Sequence, residues 1–408
     1  MRLPDRVSAV ERSSVPVAAA ALFSRASILA VLYVASTSLS VSDRNSFIFA
    51  AGVVTAVQVL VDPVALANFY LASHHHFDAL RSHGLFVVAR LQLLLGLLVI
   101  VLPPLFVLAA GESSGWIGLT GALGVLAFGE NTMRFKRVAS QDREDFIRFA
   151  GVDVLIGAVR CATAVVLLAW SIEAFAAACV LAGVVEAATA APRRPGDFHA
   201  ADRISLRNLV SEAWPYSATT LFTATYSQGP VVLLGILGSV SSAATYAIAA
   251  RLTQPLELLP SAIASVHMPR LVRHSTVEFP AALRRQSLFA LAAAIPVVIL
   301  VDLIGPLALD AFGFDNNTAY ATLFVLSAVL LFKFVSYQLV AGAISRGRIR
   351  ARFKISAFIA GVSVVSVAAV ASIGPVAAAL VTLGCEIMLC AALLILHARE
   401  TTREAGRA

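Results

Sequence analysis

Five basic side chains, Arg25, Arg90, Arg160, Arg251 and Lys333, lie inside stretches of sequence that are otherwise apolar, as do the acids Asp62, Glu130, Asp153, Glu186, Glu257 and Glu386. Placing a charge in an apolar medium costs several kcal/mol unless it is paired or faces water, so each of these residues needs a partner or an aqueous cavity. Spacing separates the two cases. Asp153 and Arg160 are seven residues apart, on one face of a helix, where they can belong to one structural network. Arg90 lies about six residues from a helix end, within reach of the interface by extension of its side chain. Arg25, Arg251 and Lys333 sit deeper, and none has an acid three or four residues away. These three point to a cationic cavity, and therefore to an anionic ligand. A guanidinium binds two oxygens of a phosphate at once, which makes phosphate the ligand class to consider first. Arg90 and Arg160 complete the set of candidate anion-binding residues.

Tyr337 follows Lys333 by one turn, Tyr246 and Gln254 flank Arg251, and Tyr226 and Gln228 share an apolar stretch upstream. Phenol and amide groups in this setting suit either sugar hydroxyls or hydrogen bonds between helices, and both roles are open. Asp62, Glu257 and Glu386 are the acids available to carry a proton or bind Na⁺.

Other chemistry is absent from the pattern. His74, His75 and His76 stand beside Asp78 and Arg81 at the end of an apolar stretch, as an interfacial polar cluster. Gly151 to Gly157 contains no phosphate-loop spacing, and no nucleotide fingerprint follows a strand, so no ATP-driven mechanism is expected within the chain. Cys161, Cys179, Cys385 and Cys390 lack metal-ligand spacing and read as small packing residues. No metal and no cofactor are expected.

The elements that hold these residues are membrane spans. Hydrophobic residues make up 59% of the 408-residue chain and charged ones only 13%, about half the charged fraction of a soluble domain. About 20 apolar residues cross a bilayer as a helix, and the sequence divides into twelve such stretches: 17–39, 46–70, 84–109, 115–135, 146–170, 173–190, 208–237, 243–267, 286–309, 317–343, 353–373 and 375–397. Residues 1–16 are a basic segment preceding an uncleaved first span, 17–190 hold six spans, 191–207 form a Pro- and Arg-containing linker, 208–397 hold six more, and 398–408 are a tail. The expected fold class is an all-α polytopic membrane protein with two six-helix lobes.

Orientation follows from the basic residues. Of 31 Lys and Arg, 25 fall in 1–16, at Arg81, or in the segments 134–148, 191–207, 268–285, 346–354 and the tail, all on one side. The other side has Arg44 alone. By the positive-inside rule both termini are cytoplasmic and the short hairpins face outward. This distribution also accounts for the formal charge of +7 without nucleic acid as a partner. Membrane lipid is the partner that the composition requires.

One stretch, Thr245 to Leu271, combines the unusual features: Arg251 and Glu257 inside an apolar run, Pro255 and Pro260 interrupting its helical hydrogen bonding, and Met268-Pro269-Arg270 closing it. The prolines are candidate hinges. Its pattern of Tyr246-Ala247, Arg251-Leu252, Pro255-Leu256, Leu259-Pro260 and Pro269-Arg270-Leu271 resembles the Wzx-type oligosaccharide flippases of the multidrug/oligosaccharidyl-lipid/polysaccharide exporter superfamily. The preceding span, entered through Trp214-Pro215-Tyr216 and ending in Leu233-Leu234-Gly235, is also similar to theirs, and Arg25 and Asp62-Pro63 match more loosely.

The resemblance implies a V-shaped, MATE-like bundle that works by alternating access. It also implies a polyprenyl-diphosphate-linked oligosaccharide as substrate, moved across the cytoplasmic membrane for surface-polysaccharide synthesis, with glycosyltransferases and a polysaccharide polymerase as partners. Peptidoglycan-precursor members of the superfamily carry arginines that Arg25 and Arg251 match by position, but they usually have two further spans. Two other functions compete. A cation-coupled multidrug antiporter of the same fold would have an acid-dominated cavity, against which the buried cations count. A membrane-embedded polyprenyl-phosphate transferase or polymerase would need a sizeable outward loop, and the outward segments are short.

Overall fold

The computed structural model describes residues 3–61, 93–142, 146–190, 206–273, 275 and 278–405. Among these the chain is helical with no strand. An apolar solvent offers backbone N–H and C=O groups no partner, and the helix satisfies them internally. We number the helices α1 (Leu3–Ser38), α2 (Val41–Leu60), α3 (Leu98–Ala109), α4 (Ser114–Asp142), α5 (Phe146–Ala169), α6 (Ile172–Ala190), α7 (Leu206–Leu237), α8 (Val240–Thr253), α9 (Leu258–Arg273), α10 (Phe279–Ala311), α11 (Asn317–Ser345), α12 (Ile349–Val370) and α13 (Pro375–Ala405). A single 3₁₀ turn, Gln254–Glu257, joins α8 to α9.

Among the described residues helices cover the apolar stretches and run past several of them, α1 from Leu3, α4 to Asp142, α10 from Phe279 and α13 to Ala405, and the connections fall at short polar turns. Ser40 caps α2 by accepting the Asp43 N–H at 3.2 Å, Ser239 caps α8 through Ser242 N–H at 3.1 Å, and Asn316 caps α11 through Ala319 N–H at 2.8 Å. Gly347, with φ of 67°, provides the left-handed residue that ends α11 and starts α12 immediately after.

Seven described helices are long and apolar enough to cross a membrane: 19–38, 150–169, 172–189, 279–311, 317–345, 349–370 and 375–399, with shorter apolar helices at 93–109 and 221–237. The remaining stretches fall short for visible reasons. The stretch predicted at 46–70 runs beyond the described residues, α4 is diluted by five glycines between Gly115 and Gly129, and the stretch at 243–267 is split by its 3₁₀ turn.

Burial departs from the pattern of a water-soluble protein. Leu168, Leu181, Leu303, Leu307, Phe358 and Val365 are each more than 60% exposed, while Gln338, Glu386, Glu130, Glu186 and Asp153 are each 3% exposed or less. Apolar surface on that scale belongs against hydrocarbon, and the protein is a multi-pass membrane protein.

The chain separates into two compact units, Met1–Ser217 and Ala218–Ala408, the division falling inside α7. In the first unit α1 packs along α5, and α4 along α6 and α3. The α4–α6 approach is backbone to backbone: a Cβ added to Gly183 would lie 2.3 Å from the Val125 carbonyl oxygen, and one on Gly129 2.5 Å from the Gly183 carbonyl. Small residues are what permit helices to approach this closely in lipid. In the second unit α11 is the central element, in contact with α8, α9, α10, α12 and α13. The alanine-rich α8 is buried from Ala243 through Arg251.

Candidate functional site

The break in the stretch at 245–271 is sharply localised. Pro255 has no N–H to donate to the helix, and the chain passes through a 3₁₀ turn at Gln254–Glu257 before α9 starts. Pro260 falls in the first turn of α9, where a missing N–H leaves no helical bond unmade. The carbonyl oxygen of Pro260 instead accepts the Gln338 amide at 3.2 Å, and Gln338 in turn accepts from Gln286 at 2.5 Å. The interruption therefore turns backbone and side-chain polar groups toward α11 and α10, where other polar groups meet them.

Around this turn the second unit gathers most of the residues singled out in the sequence. Lys333 Nζ on α11 donates to Glu257 Oε1 at 2.6 Å, with 14% and 21% of the two side chains left accessible. Ser336, one turn along α11, donates to Glu386 Oε1 on α13 at 2.5 Å, which places a second carboxylate within electrostatic reach of Lys333. The Tyr226 hydroxyl on α7 lies beside Glu386, and Tyr337 borders the same charges. Arg251, 8% exposed, reaches Gln254 Oε1 at 3.4 Å, and Gln254 donates to Gln228 Oε1 on α7 at 3.3 Å. Tyr246, 1% exposed, is tied to Thr382 at 2.9 Å, a fixed packing position. Gln228, Gln254, Tyr337, Lys333 and Glu257 are half-buried and reachable.

The first unit has its own charged centre. Arg160 Nε and Nη2 each donate to a Glu130 carboxylate oxygen at 2.5 Å, a bidentate pair, and its Nη1 donates to the Ser24 carbonyl at 2.8 Å. Gln58 donates to Glu130 at 3.0 Å and to Asn131 at 3.2 Å. A small cavity of about 80 Å³ lies against Gln58, Glu130, Arg160 and Thr163. Arg25 is half-buried on α1, next to Ser24. Glu186 is 3% exposed close to Glu130, and among the described residues no hydrogen-bond donor meets its carboxylate.

Arg160 is thus engaged with Glu130 and not with Asp153, its helix-face neighbour seven residues away. Lys333, which has no acid at helical spacing, has one 76 residues away in sequence. Arg90 and Asp62, like the His74–His76 tract and most of the 191–207 linker, lie outside the described residues. Arg352 is a further residue of this cluster. Expected in the connecting segment 346–354, it sits instead in the first turn of α12, within electrostatic reach of Tyr226 and Tyr337. The neighbouring Phe353 packs on Phe222 of α7 at 5.6 Å between ring centroids. No group of metal-ligating residues occurs among the described residues.

No protein-family model matches the chain, and no curated protein matches it in sequence. Solved structures do match in fold. The lipid II flippase MurJ in an inward closed conformation aligns with a TM-score of 0.66 at 12% identity, covering 94% of this chain and 86% of that one. An outward-facing multidrug resistance MATE family transporter of the MOP superfamily aligns at 0.63 and 13%, covering 96% of each chain. A MOP superfamily transporter from Pyrococcus furiosus, described as having a binding pocket of reverse polarity, aligns at 0.58 and 12%, covering 96% and 95%. The fold is all-α, polytopic and MATE-like.

Proposed function

We propose that the chain is a membrane flippase that moves a polyprenyl-diphosphate-linked oligosaccharide from the inner to the outer leaflet of the cytoplasmic membrane by alternating access, for surface-polysaccharide synthesis. The observation that carries this reading is the composition of the polar cluster in the second unit. Lys333 is paired with Glu257 and lies within electrostatic reach of Glu386, Arg251 reaches Gln254, which bonds Gln228, and Arg352 lies within electrostatic reach of Tyr226 and Tyr337. Cations outnumber acids, and the half-buried Gln228, Gln254 and Tyr337 suit a hydroxylated ligand. A diphosphate would be held by guanidinium donors, strongest where water is excluded. Its oligosaccharide would meet Gln228, Gln254 and Tyr337, and the lipid tail would stay in the bilayer. Occupation of Lys333 by the diphosphate would release Glu257, which gives that acid a means of sensing the substrate. The likeness in fold to a lipid flippase supports the reading. Glycosyltransferases and a polysaccharide polymerase are the partners this role entails.

A second reading, a cation-coupled multidrug antiporter, is favoured by Glu186, a buried carboxylate of the first unit with no hydrogen-bond donor among the described residues, and by the likeness in fold to multidrug MATE transporters. Proteoliposomes separate the two. A flippase exposes polyprenyl-diphosphate-linked N-acetylglucosamine, loaded in the inner leaflet, to an external lectin, and does not accumulate ethidium when a proton or Na⁺ gradient is imposed. Gradient-driven ethidium uptake without movement of the glycolipid refutes the flippase reading.

A further inference from the structure

A groove of about 600 Å³ opens at the basic end of the second unit, lined by the start of α10, the end of α11 and the end of α13. Its chemistry is divided along its length. At one end stand Arg284, Arg346 and Arg348; along the rest run Leu288, Leu291 and Leu394, and no Asp or Glu is among its lining residues. Arg284 and Leu291 are seven residues apart on α10, so at 1.5 Å per residue the groove passes from charge to hydrocarbon over about 10 Å. Leu288 and Leu394 are 56% and 53% exposed, which leaves the apolar part open sideways, toward lipid.

The cationic end is built rather than incidental. The Arg346 guanidinium lies 4.1 Å over the Phe279 ring and donates through Nη2 to the Ser275 carbonyl at 3.2 Å, which fixes its position. Phe279 packs in turn on His397, whose Nε2 is 3.1 Å from the Leu339 carbonyl oxygen. The Gly347 turn, with Arg348 N–H donating to the Ala343 carbonyl at 2.8 Å, puts Arg348 next to Arg346. Glu278, just before Phe279, accepts from Ser275 Oγ at 2.9 Å and lines a different cavity.

We propose that this groove binds an anionic phospholipid of the surrounding leaflet, its phosphate on Arg284, Arg346 and Arg348 and one acyl chain along Leu288, Leu291 and Leu394. Basic clusters between helices at the membrane interface attract anionic headgroups, and a volume of this size holds a headgroup with the upper part of one chain. The site lies within one unit and is independent of the transported substrate.

The test uses the full chain in detergent, with binding of dioleoyl phosphatidylglycerol and dioleoyl phosphatidylcholine measured by native mass spectrometry. The expected result is phosphatidylglycerol bound about tenfold more tightly, with the preference abolished in R284Q/R348Q and kept in R350Q/K354Q, which changes two neighbouring cations outside the groove. Arg346 is left in place because it packs on Phe279. Equal binding of the two lipids overturns the proposal, as does an equal loss in R350Q/K354Q, which would mean diffuse charge. Displacement of phosphatidylglycerol by 10 mM inorganic phosphate would mean a soluble-anion site, and a concentration-dependent dimer lost in R284Q/R348Q without lipid preference would mean a contact between copies; either overturns it. A photoactivatable phosphatidylglycerol should crosslink to peptide 279–291, and crosslinking confined to other segments contradicts the site.

Discussion

Lys333 and Glu257 meet at 2.6 Å across 76 residues of sequence, tying the middle of α11 to the 3₁₀ turn that divides α8 from α9. The pair fixes this interrupted element of the second unit to its central helix. It also neutralises a cation that would otherwise make that region strongly positive.

Removing one partner should therefore be worse than removing both. Loss of one member of a buried pair costs about 3–5 kcal/mol, and partial exposure puts this pair at about 2 kcal/mol. K333M and E257Q should each lower the melting temperature of the detergent-purified protein, and K333M/E257Q should recover most of the loss. Additive losses in the double variant would show that the pair is not coupled.

In the first unit the Glu130–Arg160 pair is more deeply buried and bidentate, so R160M alone should cost about 3–5 kcal/mol and sharply reduce the folded yield. R160M/E130L, which replaces both charges by apolar groups, should restore it. Size-exclusion chromatography and melting curves read the outcome.

Gly183 and Gly151 make opposite predictions for one substitution. Gly183→Ala drives a methyl into the Val125 carbonyl of α4 and should destabilise by about 1–3 kcal/mol. At Gly151 an added methyl meets nothing within 4 Å, and Gly151→Ala should be neutral or stabilising by up to about 1 kcal/mol. Equal melting temperatures for the two variants would contradict the α4–α6 contact.

Pro255→Ala restores a donor at the 3₁₀ turn and favours continuous helix from α8 into α9. The melting temperature should stay level or rise, while glycolipid translocation in proteoliposomes falls at least about tenfold. Unchanged translocation would reduce Pro255 to a shaping role.

Much of the fold was legible because apolar runs of 20 residues and polar turns have few alternative readings. The turns at Gly111, Ser171, Ser239 and Gly374, and the interruption at Pro255, are read directly from local composition. The site was legible as a set of residues but not as a set of contacts. Helical spacing speaks only of neighbours on one helix, so it offered Asp153 for Arg160 and offered nothing for Lys333. The true partners, Glu130 and Glu257, come from other helices, where only tertiary packing decides. Arg352 was lost in a count of loop cations because a basic helix start and a basic loop have the same composition.

In the proposed flippase, Arg251 binds the diphosphate of the lipid-linked glycan. The most direct test of that contact is the rate at which inner-leaflet polyprenyl-diphosphate-linked N-acetylglucosamine becomes accessible to external lectin in proteoliposomes of wild-type and Arg251→Ala protein, at matched incorporation and melting temperature. A fall of about a hundredfold, as expected for loss of a charge-assisted contact worth about 3 kcal/mol, is the predicted result. Translocation by Arg251→Ala at the wild-type rate would contradict it.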